Sequence, residues 1–389
     1  MASIHGSFEH RFKAVPALLQ ASIAEGKDIG ASIFVNLNGK DVVNIWGGYV
    51  DETRTREWQQ DTIVNVWSTS KTVTSLAALI CIERGLLDPF EKVAKYWPEF
   101  AVNGKEDIEV RHFLSHASGL CGWAQKVSVQ DICSLDKAVK MLEQQAPMFK
   151  PGSASGYHSL TMGPLIGALV SRVTGKPFGQ FVQDELAQPL GADFQYGVRE
   201  ADWSRVATLS APPPWHLPDT EVDYTDPSNA LGNPPMSATE ANKPLWRSAE
   251  LSASNGHSNA ASVGRIMSTV SLGGTNGGRD FLSPATIDLI FQEQQNGRDL
   301  VVDRHIRWGI GFALTGKGTI MEWLPEGRIC AWGGWGGSVV IMDVERKLTV
   351  TYMMNKMDGT LLGGTRTKAY VQAVYAALGV ALKLPPDGQ

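Results

Sequence analysis

Ser68 and Lys71 stand three residues apart at the head of an apolar run, Val66-Trp67-Ser68-Thr69-Ser70-Lys71-Thr72-Val73-Thr74-Ser75-Leu76-Ala77-Ala78-Leu79-Ile80. Residues three apart on a helix are neighbours, so a hydroxyl and an amine share one face. A serine at a helix N-terminus also meets free backbone N–H groups and the positive end of the dipole, which steady an anion. A serine hydroxyl is a weak nucleophile at neutral pH and needs a base, and a lysine serves only if burial or a neighbouring cation lowers its pKa. The pair therefore reads as a nucleophile and its base.

A Ser-x-x-Lys spacing alone is weak evidence, and the chain contains a second one, Ser134-Leu135-Asp136-Lys137. That match reads as a cap for a helix through Ala138, Val139, Met141 and Leu142. The first match is joined by two later features. Tyr157-His158-Ser159 is the only Tyr-x-Ser or Tyr-x-Asn in the chain and follows the Pro/Gly/Ser-rich Lys150–Gly156 loop. Further on, Ala331-Trp332-Gly333-Gly334-Trp335-Gly336-Gly337-Ser338 leads into the apolar Val339-Val340-Ile341-Met342-Asp343. Glycines in a strand let another molecule approach the backbone closely.

Together these residues resemble the serine β-lactamase and penicillin-binding-protein superfamily, in which Ser-x-x-Lys is a known motif, and within it the class C-like carboxylesterases called family VIII. Leu114-Ser115-His116-Ala117-Ser118-Gly119-Leu120, Asn255-Gly256-His257 and Thr349–Asn355 add to the likeness, which spans nearly the whole chain. The third motif departs from the β-lactamases: Trp332-Gly333-Gly334 stands where they carry Lys-Thr-Gly. An indole offers one N–H and an apolar face in place of an ammonium and a hydroxyl, which turns the expectation from carboxylate-bearing substrates to neutral esters.

The resemblance implies roles. Ser68 is the acyl-accepting nucleophile and Lys71 its base. Tyr157 shuttles protons, and with an ordinary pKa near 10 it needs the Lys71 ammonium to favour its phenolate. The backbone N–H groups of Ser68 and Trp335 form the oxyanion hole. Ser159 holds Lys71 or substrate, and Trp332, Gly333 and Gly334 line the acyl or alcohol pocket. His257 either faces the cleft or is a structural histidine. The expected reaction is hydrolysis of a small neutral carboxylic ester through an acyl-Ser68 intermediate. The alternatives are acyl transfer to a bulky alcohol, as in lovastatin-type acyltransferases, β-lactam or D-alanyl peptide hydrolysis, and a silent binding scaffold.

The elements that must position these groups are legible in outline. Apolar spacing marks helices over 7–25, with Pro16 as a blemish, 68–84 ending at Gly85, 162–175, 260–272, 284–292 and 365–378. Asn38-Gly39 marks a hairpin between strands 30–37 and 40–48. Further strands are expected at 308–314, 318–323, 328–333, 337–343 and 347–354. Strands at both ends around a helical middle give an α/β, three-layer β-lactamase/transpeptidase-like fold, an antiparallel sheet flanked by helices plus a mainly helical subdomain. Residues 1–66 and 255–389 form the sheet part, and 67–254 the helical part. Within the latter, 203–247 is a Trp/Pro-rich loop long enough to have a functional use.

Composition excludes other classes. Of 389 residues, 43% are hydrophobic and 19% charged, and a net charge of −5 with no basic stripe argues against a nucleic-acid partner. No run approaches the ~20 apolar residues of a membrane span, and the N-terminus lacks a signal-peptide core; a cytoplasmic location is expected. Cys81, Cys121, Cys133 and Cys330 are too few and scattered for a disulfide framework. His112 and His116 lack a His-Glu-x-x-His context, and neither a Gly-x-Ser-x-Gly elbow nor a Gly-x-Gly-x-x-Gly loop is present. No metal and no cofactor are expected.

Overall fold

Asn38 and Gly39 both take positive φ, 53° and 79°, the conformation a two-residue type I′ hairpin demands. They join β2 (Gly30–Leu37) to β3 (Lys40–Gly48). In the computed structural model, which describes residues 3–212, 222–360 and 363–383, this hairpin belongs to a nine-stranded antiparallel sheet. Its other strands are β1 (Ile4–Phe8), β4 (Gln295–Arg298), β5 (His305–Trp308), β6 (Ala313–Leu314), β7 (Ile329–Gly333), β8 (Val339–Asp343) and β9 (Leu348–Met354), in the spatial order β1-β3-β2-β9-β8-β7-β6-β5-β4. Every residue of β7, β8 and β9 is buried, as a sheet covered on both faces requires.

Helices α1 (Ala14–Ala24) and α5 (Thr365–Ala377) cover one face. On the other, α4 (Ala260–Ser271) packs on β2, β8 and β9, and α2 (Ser70–Glu83) lies between α4 and α3 (Met162–Thr174). Residues Ser70 to Cys81 of α2 are all buried, so the helix lies inside the protein rather than on its surface. It ends before Gly85, which takes a left-handed φ of 66°. The helical middle is tied to the sheet part by three short antiparallel strands, with His257–Ser258 between Val64–Asn65 and Phe194–Gln195.

Several expected elements differ. The first helix begins only at Ala14, because Ile4–Phe8 pairs with β3 as an edge strand. Pro16 then falls in the first helical turn, where its missing N–H has no helical partner to lose. The expected strand 308–314 is two strands broken at Gly309–Phe312. Residues 318–323 form turns: Thr319 Oγ1 donates to the Gly316 carbonyl, and the Gly318 N–H donates to Glu322. The described part of 203–247 consists of short helical turns, while Pro213-Pro214-Trp215 lies outside the described residues. No helix among the described residues is long and apolar enough to cross a membrane.

Candidate active site

Lys71 enters α2 one residue after its start and is 2% exposed. Its Nζ lies 3.0 Å from Ser68 Oγ, and it donates to the carbonyls of Ser159 at 2.6 Å and Ala253 at 2.9 Å. Burial holds its pKa well below the usual lysine value. A neutral amine fits this setting: two N–H groups meet two carbonyls, and the lone pair faces the Ser68 hydroxyl. The aromatic ring of Tyr157 lies 4.9 Å from the same nitrogen.

Tyr157 is fully buried in a cage of rings, with centroids of His116 at 5.0 Å, Trp332 at 5.1 Å and Trp308 at 6.3 Å. Trp332 Nε1 donates to Tyr157 Oη at 3.0 Å, and the Ser68 hydroxyl is a second hydrogen-bond partner. Burial outweighs both and pushes the phenol above its ordinary pKa. Burial thus works against the phenolate and, at Lys71, against the ammonium expected to favour it. Two histidines steady the loop. His158 N–H donates to His116 Nδ1 at 3.0 Å, and His158 itself bridges the Gly156 carbonyl and Ser118 Oγ. Burial lowers the pKa of both, His158 to about 4.

Above Ser68 runs the loop after β7. A side chain at Gly334 would place its Cβ 2.3 Å from the Val66 carbonyl and 2.4 Å from Ser338 Oγ, so only glycine lets this loop lie against the nucleophile's own segment. Ser338 Oγ donates to the Val66 carbonyl at 2.9 Å, closing the contact. Neither the Ser68 nor the Trp335 N–H has an acceptor among the described residues, which leaves both donors free for an oxyanion. Trp67 takes φ of 49°, a strained conformation for a bulky residue. Packing holds it there, its ring 5.1 Å from that of Trp335 and 5.3 Å from that of Trp246.

The structure thus brings Ser68, Lys71, Tyr157, Ser159, Trp332, Gly333, Gly334 and Trp335 together, but two of them, Ser159 and Trp332, work differently from expectation. Ser159 holds Lys71 by its carbonyl rather than its hydroxyl. Trp332 is 2% exposed and holds Tyr157 rather than forming an open pocket wall. Of the two readings of His257 the burial fits the structural one: it lies fully buried in the middle strand of the small sheet, with Nδ1 2.8 Å from the Asn255 carbonyl and its pKa pulled down to about 3. Ser134 begins the helix Leu135–Gln144 and Lys137 pairs with Asp131, both away from the site. Sequence reasoning missed Trp308, the Ala253 carbonyl and Asp299, whose Oδ1 accepts the Tyr157 N–H at 3.0 Å. None of the three lies in a motif.

Comparison with known proteins agrees with this arrangement. A family model described as Beta-lactamase matches residues 15–375. The esterase/beta-lactamase LipL of Mycobacterium tuberculosis is 29% identical over 376 residues, covering 92% of this chain and 84% of its own. Esterase EstB of Burkholderia gladioli is 29% identical over 193 residues, 45% of this chain and 48% of its own. Among solved structures, a family VIII carboxylesterase superposes with a TM-score of 0.90 at 33% identity, covering 96% of this chain and 100% of that one. A penicillin-binding protein homologue from Caulobacter crescentus does so at 0.89 and 33%, with the same coverage. The chain belongs to the beta-lactamase family and is a serine hydrolase within it.

Proposed function

We propose that the chain is a carboxylesterase acting on small neutral esters through an acyl-Ser68 intermediate. The observation that supports this most is the buried Lys71 amine, with two carbonyls on its N–H groups and its remaining direction on Ser68 Oγ at 3.0 Å. As Oγ attacks the ester carbonyl carbon, the Ser68 proton passes to Nζ, and the developing oxyanion meets the N–H groups of Ser68 and Trp335. The ester C–O bond then breaks, and the departing alkoxide takes a proton from Tyr157, which is restored from Lys71. Water repeats the sequence: it gives a proton to the amine, its oxygen bonds to the acyl carbon, and Ser68 Oγ leaves with a proton to release the acid.

The same geometry favours neutral substrates. Trp332 occupies the third motif, and its single N–H serves Tyr157, leaving no ammonium at that position for a substrate carboxylate. The name of the relative EstB, an esterase, supports this reading, while that of LipL joins esterase with beta-lactamase. The test is turnover of a neutral p-nitrophenyl acyl ester beside a chromogenic cephalosporin, with Ser68→Ala as control. Ester turnover that is lost in Ser68→Ala is expected. A cephalosporin hydrolysed faster than every ester would overturn the assignment.

A further inference from the structure

The loop that offers the Trp335 N–H contains four glycines in six residues, Gly333-Gly334-Trp335-Gly336-Gly337-Ser338. Such a loop has little intrinsic rigidity, yet an oxyanion donor is effective only when fixed in advance. Something outside the loop must hold it. Gly336 and Gly337 take φ of 92° and 117°, and a Cβ on Gly336 would sit 2.5 Å from Met357. The Gly336 N–H donates to the Thr360 carbonyl at 3.1 Å, and its carbonyl accepts the Asp358 N–H at 3.0 Å.

Two side chains at the start of α5 complete the hold. Thr367, fully buried, donates from Oγ1 to the Gly337 carbonyl at 2.7 Å. Arg366, its side chain 10% exposed, donates from Nη2 to the carbonyls of Lys356 at 2.7 Å and Gly336 at 3.3 Å. Its Nη1 lies 3.2 Å from Asp28 Oδ1. Asp28 is itself immobilised: fully buried, it accepts from Ser22 at 2.6 Å, Tyr352 at 2.6 Å and Tyr370 at 2.8 Å. A buried carboxylate satisfied by three hydroxyls and an arginine is a rigid anchor.

We infer that Arg366, anchored through Asp28, and its neighbour Thr367 are positioning residues for the oxyanion hole, fixing the Trp335 N–H from behind the loop. The inference rests on Ser68 being the nucleophile, which wild-type labelling by a fluorophosphonate, blocked in Ser68→Ala, checks separately. Neither residue touches substrate, so their loss should slow formation of the tetrahedral centre without weakening ester binding. Thr367→Val keeps the shape and removes the donor. Its kcat for a p-nitrophenyl ester and its fluorophosphonate labelling rate are both expected to fall about tenfold, with KM unchanged; losing an oxyanion donor altogether typically costs about 10²–10³. Thr367→Ser, which retains the hydroxyl, should restore both rates. If Thr367→Val does not fold, Arg366→Lys is read the same way, since lysine keeps the charge toward Asp28 but loses the planar fork. Rates within twofold of wild type in the folded variant, or a loss that Thr367→Ser fails to restore, would overturn the inference.

Discussion

Replacing Lys71 by methionine, a near-isosteric apolar side chain, separates what this residue does for catalysis from what it does to the fold. Lys71 is completely buried, and desolvation alone depresses its pKa. An unfolded chain carries this lysine charged up to about pH 10.4. Between the folded and unfolded pKa values the unfolded state therefore binds one more proton, and stability rises with pH by about 1.4 kcal/mol per unit from this group alone. The contribution is complete above the unfolded pKa and is lost as pH falls toward the folded one. Methionine has no proton to bind. Lys71→Met should be inactive yet more stable than wild type at pH 7, offset in part by the loss of the bonds to Ser159 and Ala253. That advantage should shrink by about 1.4 kcal/mol for each unit from pH 7 to pH 9. Urea unfolding of both proteins at pH 7, 8 and 9 measures it. A stability difference independent of pH would mean that Lys71 stays protonated in the folded enzyme, and the neutral-amine base would be refuted.

Other outcomes follow from single contacts. Trp332→Phe removes the side-chain N–H that Tyr157 Oη accepts and leaves that oxygen with the Ser68 hydroxyl, so kcat should fall about threefold to tenfold, the loss of one hydrogen bond worth about 0.5–1.5 kcal/mol; an unchanged kcat would free Trp332 of any part in the reaction. Tyr157→Phe should lower kcat by about 10²–10⁴, the usual span of a proton-transfer group, while Ser68 still reacts with a fluorophosphonate. Gly334→Ala drives a methyl group into the Val66 carbonyl, so both thermal stability and Ser68 labelling should fall, and a fully active variant would contradict the close approach.

Much of the site was legible because its parts are local. The Ser68–Lys71 face is a matter of helical spacing, the Asn38-Gly39 hairpin of two adjacent positive-φ residues, and the end of α2 of one glycine. What stayed hidden depends on pairing between distant segments. The Trp332–Tyr157 bond spans 175 residues and the Lys71–Ala253 bond 182, and no periodicity encodes either. Backbone groups are equally invisible: a serine at position 159 points to a hydroxyl, yet every residue type carries the carbonyl that holds Lys71. Strand β4, with the unremarkable Gln295-Asn296-Gly297-Arg298, carries no alternating apolar pattern because it lies at the sheet edge.

The central claim is that Ser68 carries the acyl group, and intact-protein mass after brief exposure to a short activated acyl ester tests it most directly. Wild type should gain one acyl mass, located to Ser68 by peptide mapping, or turn the ester over rapidly, and Ser68→Ala should do neither. An acyl adduct on another residue, or a Ser68→Ala protein that hydrolyses the ester as fast as wild type, would contradict the account.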